Sequence, residues 1–286
     1  MKSKFCTFAF ILIFANVVNA QDYIPTAQDI ARFTRTKTMM IMEDNLMSEY
    51  NLTMKEIVPD EWKITPYDFL DWRNFEPHNR DNNLSFLLLN RVQIERDRSN
   101  AQYLFMSLLL GGNARNLSSM PDLCSVPLAY YGDPEESYIY KIEIFLRFMQ
   151  NHVRTLMSNP RIATQNVVAY YNNNVQRLNG KTLYLIAEYL DTDVNTEAKI
   201  RNIYPGPVKI VTREDIQRAI NERDPSVVFL HKVGPGRRNV SNARSYKILV
   251  GAACAQFYYF DYHTVNSRNP DRFLASDFRS LTRANR

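Results

Sequence analysis

The sequence is poor in the residues that build metal and redox centres. It contains 3 cysteines and 4 histidines among 286 residues. No two cysteines stand as CxxC and no HExxH occurs, which excludes the redox and zinc motifs that depend on those spacings. We therefore predict no metal site and no cofactor.

Glycine is also scarce, with 8 residues in the whole chain. The phosphate loops GxGxxG and GxxxxGK[ST] and the nucleophile turn GxSxG do not occur. The nearest approach is residues 234–238, Gly-Pro-Gly-Arg-Arg. Backbone amides there and the guanidinium groups of Arg237 and Arg238 could hold a phosphate or carboxylate. A solvated loop between two strands is the alternative, since no helix follows it.

Neither sign of charge dominates the chain. It has 35 basic and 30 acidic residues, and Lys2 and Lys4 precede the apolar run described next. Without these two lysines, 33 basic residues face 30 acidic ones, and no block of like charge stands out. Nucleic-acid-binding proteins concentrate basic residues on one face. We therefore predict no nucleic-acid partner.

Long apolar runs are confined to the N-terminus. Lys2 and Lys4 precede an apolar stretch from Phe5 to Ala15, and small or apolar residues at 18 and 20 precede Gln21. This three-part pattern is typical of a secretory signal peptide covering residues 1–20. A membrane anchor is the alternative, but the run is shorter than the ~20 residues that a span requires. We expect an exported protein without a transmembrane segment after cleavage: periplasmic, associated with the outer envelope, or secreted.

The rest of the chain contains an internal repeat. Segments between residues 37 and 111 recur in the same order between residues 181 and 251. The matched pairs are 37–42 with 181–186, 62–65 with 209–212, 86–92 with 227–233, 99–101 with 241–243, and 108–111 with 248–251. The slow drift in their separation is what short loop insertions produce. We predict a tandem duplication of one α/β unit, with an α+β arrangement as the alternative.

Helix and strand signals give the order of elements within each unit. Thr65-Pro66-Tyr67-Asp68 and Thr212-Arg213-Glu214-Asp215 both have the chemistry of a helix start after a short strand. Two apolar runs joined by a polar loop then predict a hairpin. An aromatic strand follows at 126–131 and at 256–263, and Pro134 and Pro270 announce a closing helix. The predicted unit is β-α-β-α-β-β-β-α.

A helical hairpin should bridge the two units. Apolar residues recur every three or four positions from Tyr138 to Leu156, and Ser158-Asn159-Pro160 should end that helix. A second helical stretch at 162–178 should end at Asn179-Gly180. The predicted organisation is an N-terminal arm at 21–36, a first repeat at 37–150, a connector at 151–180 and a second repeat at 181–286.

Two cysteines, Cys124 and Cys254, would remain after cleavage of the leader. Export permits a disulfide. Both residues precede the aromatic strand of their own repeat, and equivalent positions in two adjacent units are usually far apart. We therefore expect two buried thiols, with a disulfide as the alternative.

Candidate catalytic residues are few and lie in the second repeat. Asp261 and His263 are two positions apart, and therefore on the same face of a strand, and His231 lies in another predicted strand. A zinc site normally takes at least three protein ligands, so the Asp261–His263 pair is too small for one. Together with His231 the pair would suit an acid–base site of a hydrolase. A structural histidine–carboxylate pair is the alternative.

The aromatic run Phe257–Tyr262 is the other candidate site. Strict alternation would place Tyr258 and Tyr262 on one face and Asp261 on the other. An open face would present these tyrosines as ligand-binding residues, because interfaces are enriched in tyrosine. Coverage of both faces is the alternative.

Four stretches carry a resemblance to known sequences. They are Asn195–Ile200 (NTEAKI), Val208–Ile216 (VKIVTREDI), Val227–Pro235 (VVFLHKVGP) and Ala255–His263 (AQFYYFDYH). With the leader, they resemble exported proteins of Bacteroidota-type bacteria to which no activity is attached. The resemblance covers nearly the whole mature chain and implies an envelope location. It supplies no cofactor and no functional residue.

Two function classes are compatible with these patterns. The first is a non-catalytic envelope protein that binds a protein partner or a small ligand between the two α/β units, where ligand sites are common. The alternative is an envelope hydrolase whose site lies in the second repeat. Convergence of His231, Asp261 and His263 on one cavity would favour the hydrolase. The oligomeric state is left open.

Overall fold

The computed structural model describes residues 24–94, 99–112, 116–236, 238 and 240–284. The predicted leader, residues 1–20, lies outside the described residues, and so does the candidate ligand residue Arg237. The described part forms two mixed five-stranded sheets with helices packed against them.

The first sheet has parallel and antiparallel halves. Its strands are β1 (Lys37–Met42), β2 (Tyr67–Asp71), β3 (Leu84–Gln93), β4 (Gln102–Leu110) and β5 (Asp122–Tyr130). Their spatial order is β2-β1-β3-β4-β5. Strand β1 is parallel to both β2 and β3, whereas β4 and β5 run antiparallel as a meander.

The second sheet repeats this topology. Its strands are β6 (Thr182–Leu185), β7 (Val208–Ile210), β8 (Val227–Val233), β9 (Arg244–Gly251) and β10 (Phe257–Thr264). Their order is β10-β9-β8-β6-β7, with β6 parallel to β7 and β8 and the last two strands antiparallel. Two five-stranded sheets with the same order and directions confirm the predicted pair of similar α/β units.

The described helices are α1 (Ala27–Phe33), α2 (Glu49–Glu61), α3 (Phe75–His78), α4 (Ile142–Ser158), α5 (Val167–Asn172), α6 (Glu197–Arg201), α7 (Arg213–Asn221) and α8 (Ala275–Ala284). The longest helices described are α4, with 17 residues, and α2, with 13. Within the described ranges, no helix has the length and apolarity needed to cross a bilayer.

The two predicted helix starts have different outcomes. Thr212 caps α7, accepting a hydrogen bond from the Asp215 amide while Asp215 bonds back to Thr212, which confirms the prediction in the second unit. The prediction at Thr65 is wrong, because the following residues form β2. The Thr65 hydroxyl is buried and lies 2.6 Å from the hydroxyl of Thr38. A threonine already bonded in the core cannot cap a helix, so the chain stays extended there.

Two further helix boundaries differ from expectation. The polar stretch from Glu43 to Val58, followed by Pro59-Asp60, predicts a helix over residues 43–58. Helix α2 instead begins after the Ser48 cap and continues through Pro59 to Glu61. Helix α8 begins at Ala275 and not at Pro270. In the second case the Asp271 carboxylate is 2.7 Å from the Lys232 ammonium group. That ion pair holds the segment after Pro270 against the sheet and delays the helix.

Helix α4 packs between the sheets. The predicted stripe is buried at Ile142, Phe145 and Met149, and the helix ends at Asn159 as expected. One continuous core contains this stripe with Leu87 and Leu108 of the first sheet and, on the other side, with apolar residues of the second sheet, Phe229, Ile248 and Val250. The predicted boundary between the first repeat and the connector, at residue 150, lies within α4. This helix belongs to the cores of both units.

The second arm of the helical hairpin is broken into short pieces. A 3₁₀ turn (Pro160–Thr164), α5 and another 3₁₀ segment (Asn173–Leu178) replace a continuous helix. The Asn172 side chain donates to the Phe260 carbonyl and accepts from its amide, at 3.0 and 2.7 Å. This amide therefore satisfies backbone groups on the outer edge of β10.

Both described cysteines are free. Cys124 is buried within β5, as expected, whereas Cys254 is exposed. The expectation of a second buried thiol is wrong, because Cys254 precedes β10 in a turn.

Replacing Phe145 by Ala should lower the free energy of unfolding by about 3–5 kcal/mol, the usual cost of emptying a core phenylalanine site. Because the core is continuous, both units should unfold in one transition. Urea denaturation followed by circular dichroism and tryptophan fluorescence checks both points. Met157→Ala, on the same helix but 42% exposed, should change stability by less than about 0.5 kcal/mol. Two separated transitions would contradict the shared core.

Candidate functional site

A pocket lies at the carboxyl ends of the three parallel strands of the second sheet. The segments after β6 and β7 supply Tyr189 and Arg213 to its wall. The end of β8 and the loop after it supply Lys232, Gly234 and Gly236. In the sheet, β6 lies between β7 and β8, so the connections that follow β6 and β7 run to opposite sides of β6. Crevices at such switch points are the usual ligand sites of open α/β sheets.

The first unit closes this pocket from the opposite side. Residues at the end of β5 (Leu128, Ala129), in the turn that follows (Asp133, Pro134, Ser137) and at Lys141 complete the wall. We call this cavity of about 380 Å³ the junction pocket. It falls within the roughly 300–1,000 Å³ range of small-molecule sites.

Lys141 is the unusual residue of the junction pocket. It is 2% exposed and occupies the N-cap position of α4, the end at which a helix dipole disfavours positive charge. Among the described residues, no carboxylate lies within salt-bridge distance of its Nζ atom, and no acceptor is hydrogen-bonded to it. The Lys141 Nζ atom lies 4.9 Å from the centroid of the Tyr140 ring.

Burial lowers the pKa of Lys141 from 10.5 to about 7. The positive charges of Arg213 and Lys232 add to this effect, and Asp133 opposes it. Asp133 is itself engaged, because its carboxylate accepts a hydrogen bond of 2.7 Å from Arg238. The Lys141 amine is therefore partly neutral near pH 7 while the pocket is empty.

The other cations of the pocket have partners. Arg213 donates to Glu188 at 3.0 Å, and Arg272 donates to the Asp271 carbonyl at 3.0 Å. The Lys232 ammonium group pairs with the buried Asp271 carboxylate. Four basic side chains thus line the pocket against two acidic ones, Asp133 and Glu188. Asp271 neutralises Lys232 and the Lys141 amine is partly neutral, so the remaining positive charges of the wall are those of Arg213 and Arg272.

The loop that contains Gly234 and Gly236 contacts a carboxylate of the same chain, that of Asp271. The Gly236 amide donates to the Asp271 carboxylate at 2.6 Å, and any Cβ at Gly234 would collide with the same carboxylate. Arg238 is turned to Asp133 and to the Gly132 carbonyl. Asp271 therefore occupies the position at which the sequence predicts a bound phosphate or carboxylate.

The three candidate catalytic residues do not share a cavity. His231 pairs with Ile248 in the sheet, whereas Asp261 pairs with Lys247, so their side chains point to opposite faces. His231 is fully buried beside Phe145 and donates from Nε2 to the Pro127 carbonyl at 2.8 Å. Burial, followed by the charge of Lys141, lowers the pKa of His231 well below its usual value. A neutral buried imidazole fills a structural position.

Asp261 and His263 share a face but have separate partners. Asp261 accepts a hydrogen bond of 3.0 Å from the Tyr259 hydroxyl, and His263 donates from Nε2 to the Pro270 carbonyl at 2.9 Å. Burial, and then the charge of Lys247, lowers the pKa of His263. No Asp261–His263 pair forms, either as an acid–base dyad or as the structural pair that was its alternative.

A bulge separates the candidate tyrosines. The register shifts between Phe257 and Tyr259, so strict alternation is wrong at this point. Tyr258 is buried in the core that contains α8, with its hydroxyl 3.7 Å from the Cys254 sulfur. Tyr262 is half-exposed under the Arg244 guanidinium group, which lies 4.8 Å from the ring centroid. The two tyrosines do not form one binding surface.

A second, apolar pocket of about 290 Å³ lies beside the distal half of α4. The Phe148 and Phe257 rings stack in its wall with centroids 3.5 Å apart. His152 is hydrogen-bonded to the Tyr171 hydroxyl at 2.5 Å, and burial lowers the pKa of His152 to about 4. The imidazole is therefore neutral at physiological pH.

Sequence reasoning missed Lys141, although one signal was present. Lys141 is three residues after Tyr138 and four before Phe145, so it occupies a position of the apolar stripe. A lysine on the buried face of a helix indicates either a hidden ion pair or a functional amine.

The described ranges contain no group of three or more histidine, cysteine or carboxylate side chains arranged to hold a metal ion. Comparison with protein-family models, with curated proteins and with solved structures found no match to this chain.

Replacing Lys141 by Met should stabilise the protein at low pH. Between pH 7 and 10.5 the unfolded chain binds a proton that folded Lys141 lacks, so the stability of the native protein rises with pH through that window. The variant lacks this penalty, which is largest below pH 7. We expect a gain on the order of 5 kcal/mol at pH 6 that shrinks towards pH 10.

Urea titrations of both proteins at several pH values measure the difference. Lys55→Met, at an exposed position of α2, is the matched control and should show no such trend. A Lys141→Met difference that is independent of pH would contradict the low pKa.

Proposed function

We propose that this protein is an exported, non-catalytic binding protein that holds a small organic anion in the junction pocket. The observation that carries the proposal is Lys141, a buried amine to which no described residue offers an acceptor, in a pocket built by both units. The export part rests on the signal-peptide pattern of residues 1–20.

The pocket offers an anion direct hydrogen bonds as well as favourable charge. A buried ammonium group without a partner is unfavourable, and a bound carboxylate or phosphate would supply the missing charge and hydrogen-bond acceptors. Arg213 and Arg272 each have five N–H donors and use only some of them in the contacts described above. Their remaining donors suit the planar geometry of a carboxylate or the oxygens of a phosphate.

The size and position of the pocket favour a small molecule over a protein partner. Its wall combines the turn after β5 with the strand ends of the second sheet. A ligand there would contact both units, which matches the expectation of binding between them. We do not adopt the hydrolase alternative, since His231 lies on the sheet face opposite Asp261 and His263.

Calorimetry with the chain from Gln21 onwards tests this function. The ligands are a panel of small mono- and dicarboxylates and phosphate esters, and at least one should bind with saturable heat. Lys141→Met should weaken that binding about 10–100-fold, the loss expected for one charge-assisted hydrogen bond in a buried site. A ligand at a hundred times its dissociation constant should also stabilise the native fold by about 2.7 kcal/mol.

Two controls separate the site from general charge effects. Lys55→Met and Arg73→Met each remove one positive charge from an exposed position. Both should leave the affinity within about twofold of the native value, since exposed charges are screened. Equal weakening by all three substitutions, or no binding across the panel, would overturn the proposal.

A further inference from the structure

We propose that the anion is a small oxo acid and that Lys141 Nζ binds its carbonyl carbon covalently, as a reversible imine. This inference rests on the proposed function and names the ligand class of the same pocket. Imine formation is here a mode of binding and requires no turnover.

Lys141 is placed to act as a nucleophile on a carbonyl group that lies next to the anionic group of the ligand. It lines the pocket, is 2% exposed, and has no hydrogen-bonded acceptor among the described residues. Lys232, by contrast, lies in the same wall but is held by Asp271 at 2.7 Å. An unprotonated amine carries the lone pair that attacks a carbonyl, and the lowered pKa of Lys141 makes that form available near neutral pH.

The surrounding residues match the rest of an oxo acid. Arg213 and Arg272 line the same pocket and can hold the carboxylate, which leaves the adjacent carbonyl for Lys141. Tyr189 also lines the pocket, and burial raises the pKa of its phenol, so the hydroxyl keeps its proton. That hydroxyl is a neutral donor for the carbonyl oxygen.

The chemistry balances without any other reactant. The Nζ lone pair forms a bond to the carbonyl carbon while the C=O π bond breaks. One proton of the attacking nitrogen passes to the oxygen, which becomes the hydroxyl group of a carbinolamine. Loss of that hydroxyl with a proton from nitrogen releases one water molecule and leaves a C=N bond. The carboxylate takes no part in bond making. Water reverses the sequence, so the ligand is released unchanged.

Borohydride trapping tests the imine. The protein from Gln21 onwards is incubated with pyruvate or 2-oxoglutarate, treated with sodium borohydride, digested and analysed by mass spectrometry. Hydride reduction of the imine should add the mass of the oxo acid less one oxygen atom to the peptide that contains Lys141. Lys55 and Lys232 should stay unmodified, and Lys141→Met should abolish the adduct.

Calorimetry with the matching hydroxy acids, lactate and 2-hydroxyglutarate, separates this inference from the proposed function. The oxo acid should bind at least roughly tenfold more tightly, because only it can form the imine. Equal affinities without an adduct would overturn the imine and leave the anion site standing. Absence of binding by every acid would overturn both. An adduct spread equally over exposed lysines would also overturn the imine at Lys141.

Discussion

The packing of α4 against both sheets is the constraint on which the other features depend. Its buried face contributes to one core with strands of each unit, so neither unit is complete without it. The same packing fixes where α4 begins. Lys141 at that N-terminus is thereby carried into the wall of a pocket shared by the two units, where none of the described carboxylates lies within salt-bridge distance of its ammonium group.

The two units keep one topology but differ at their strand ends. In the second unit Thr212 caps α7 and places Arg213 at the pocket, whereas Thr65 of the first unit is bonded within the core. The first unit has a groove lined by residues of β3, β4 and β5 and by the segment after β2, where Arg73 is exposed. The two units therefore share one framework, and the junction pocket lies where short segments at the carboxyl ends of the second unit's strands differ from those of the first.

Features that depend on residues close together in the chain could be predicted from the sequence. Repeated apolar runs, the stripe on α4 and the Thr212 cap could be read from sequence, because burial and capping depend on neighbours in the chain. Long-range partners could not: the Asp271 carboxylate that occupies the glycine loop, and the core bonds that keep Thr65 extended, lie across the fold. The bulge after Phe257 likewise depends on strand pairing, and it separates Tyr258 from Tyr262. Lys141 carried a signal in its spacing, but its missing partner is visible only in three dimensions.

Direct titration of Lys141 tests the central claim, that the fold buries an amine without a counter-ion at the junction of the units. Lysine labelled with ¹³C at the ε position gives one NMR signal per lysine, and Lys141→Met identifies the relevant one. We expect this signal to titrate with a pKa of about 7. A titration near the ordinary lysine value of about 10.4 would contradict the account.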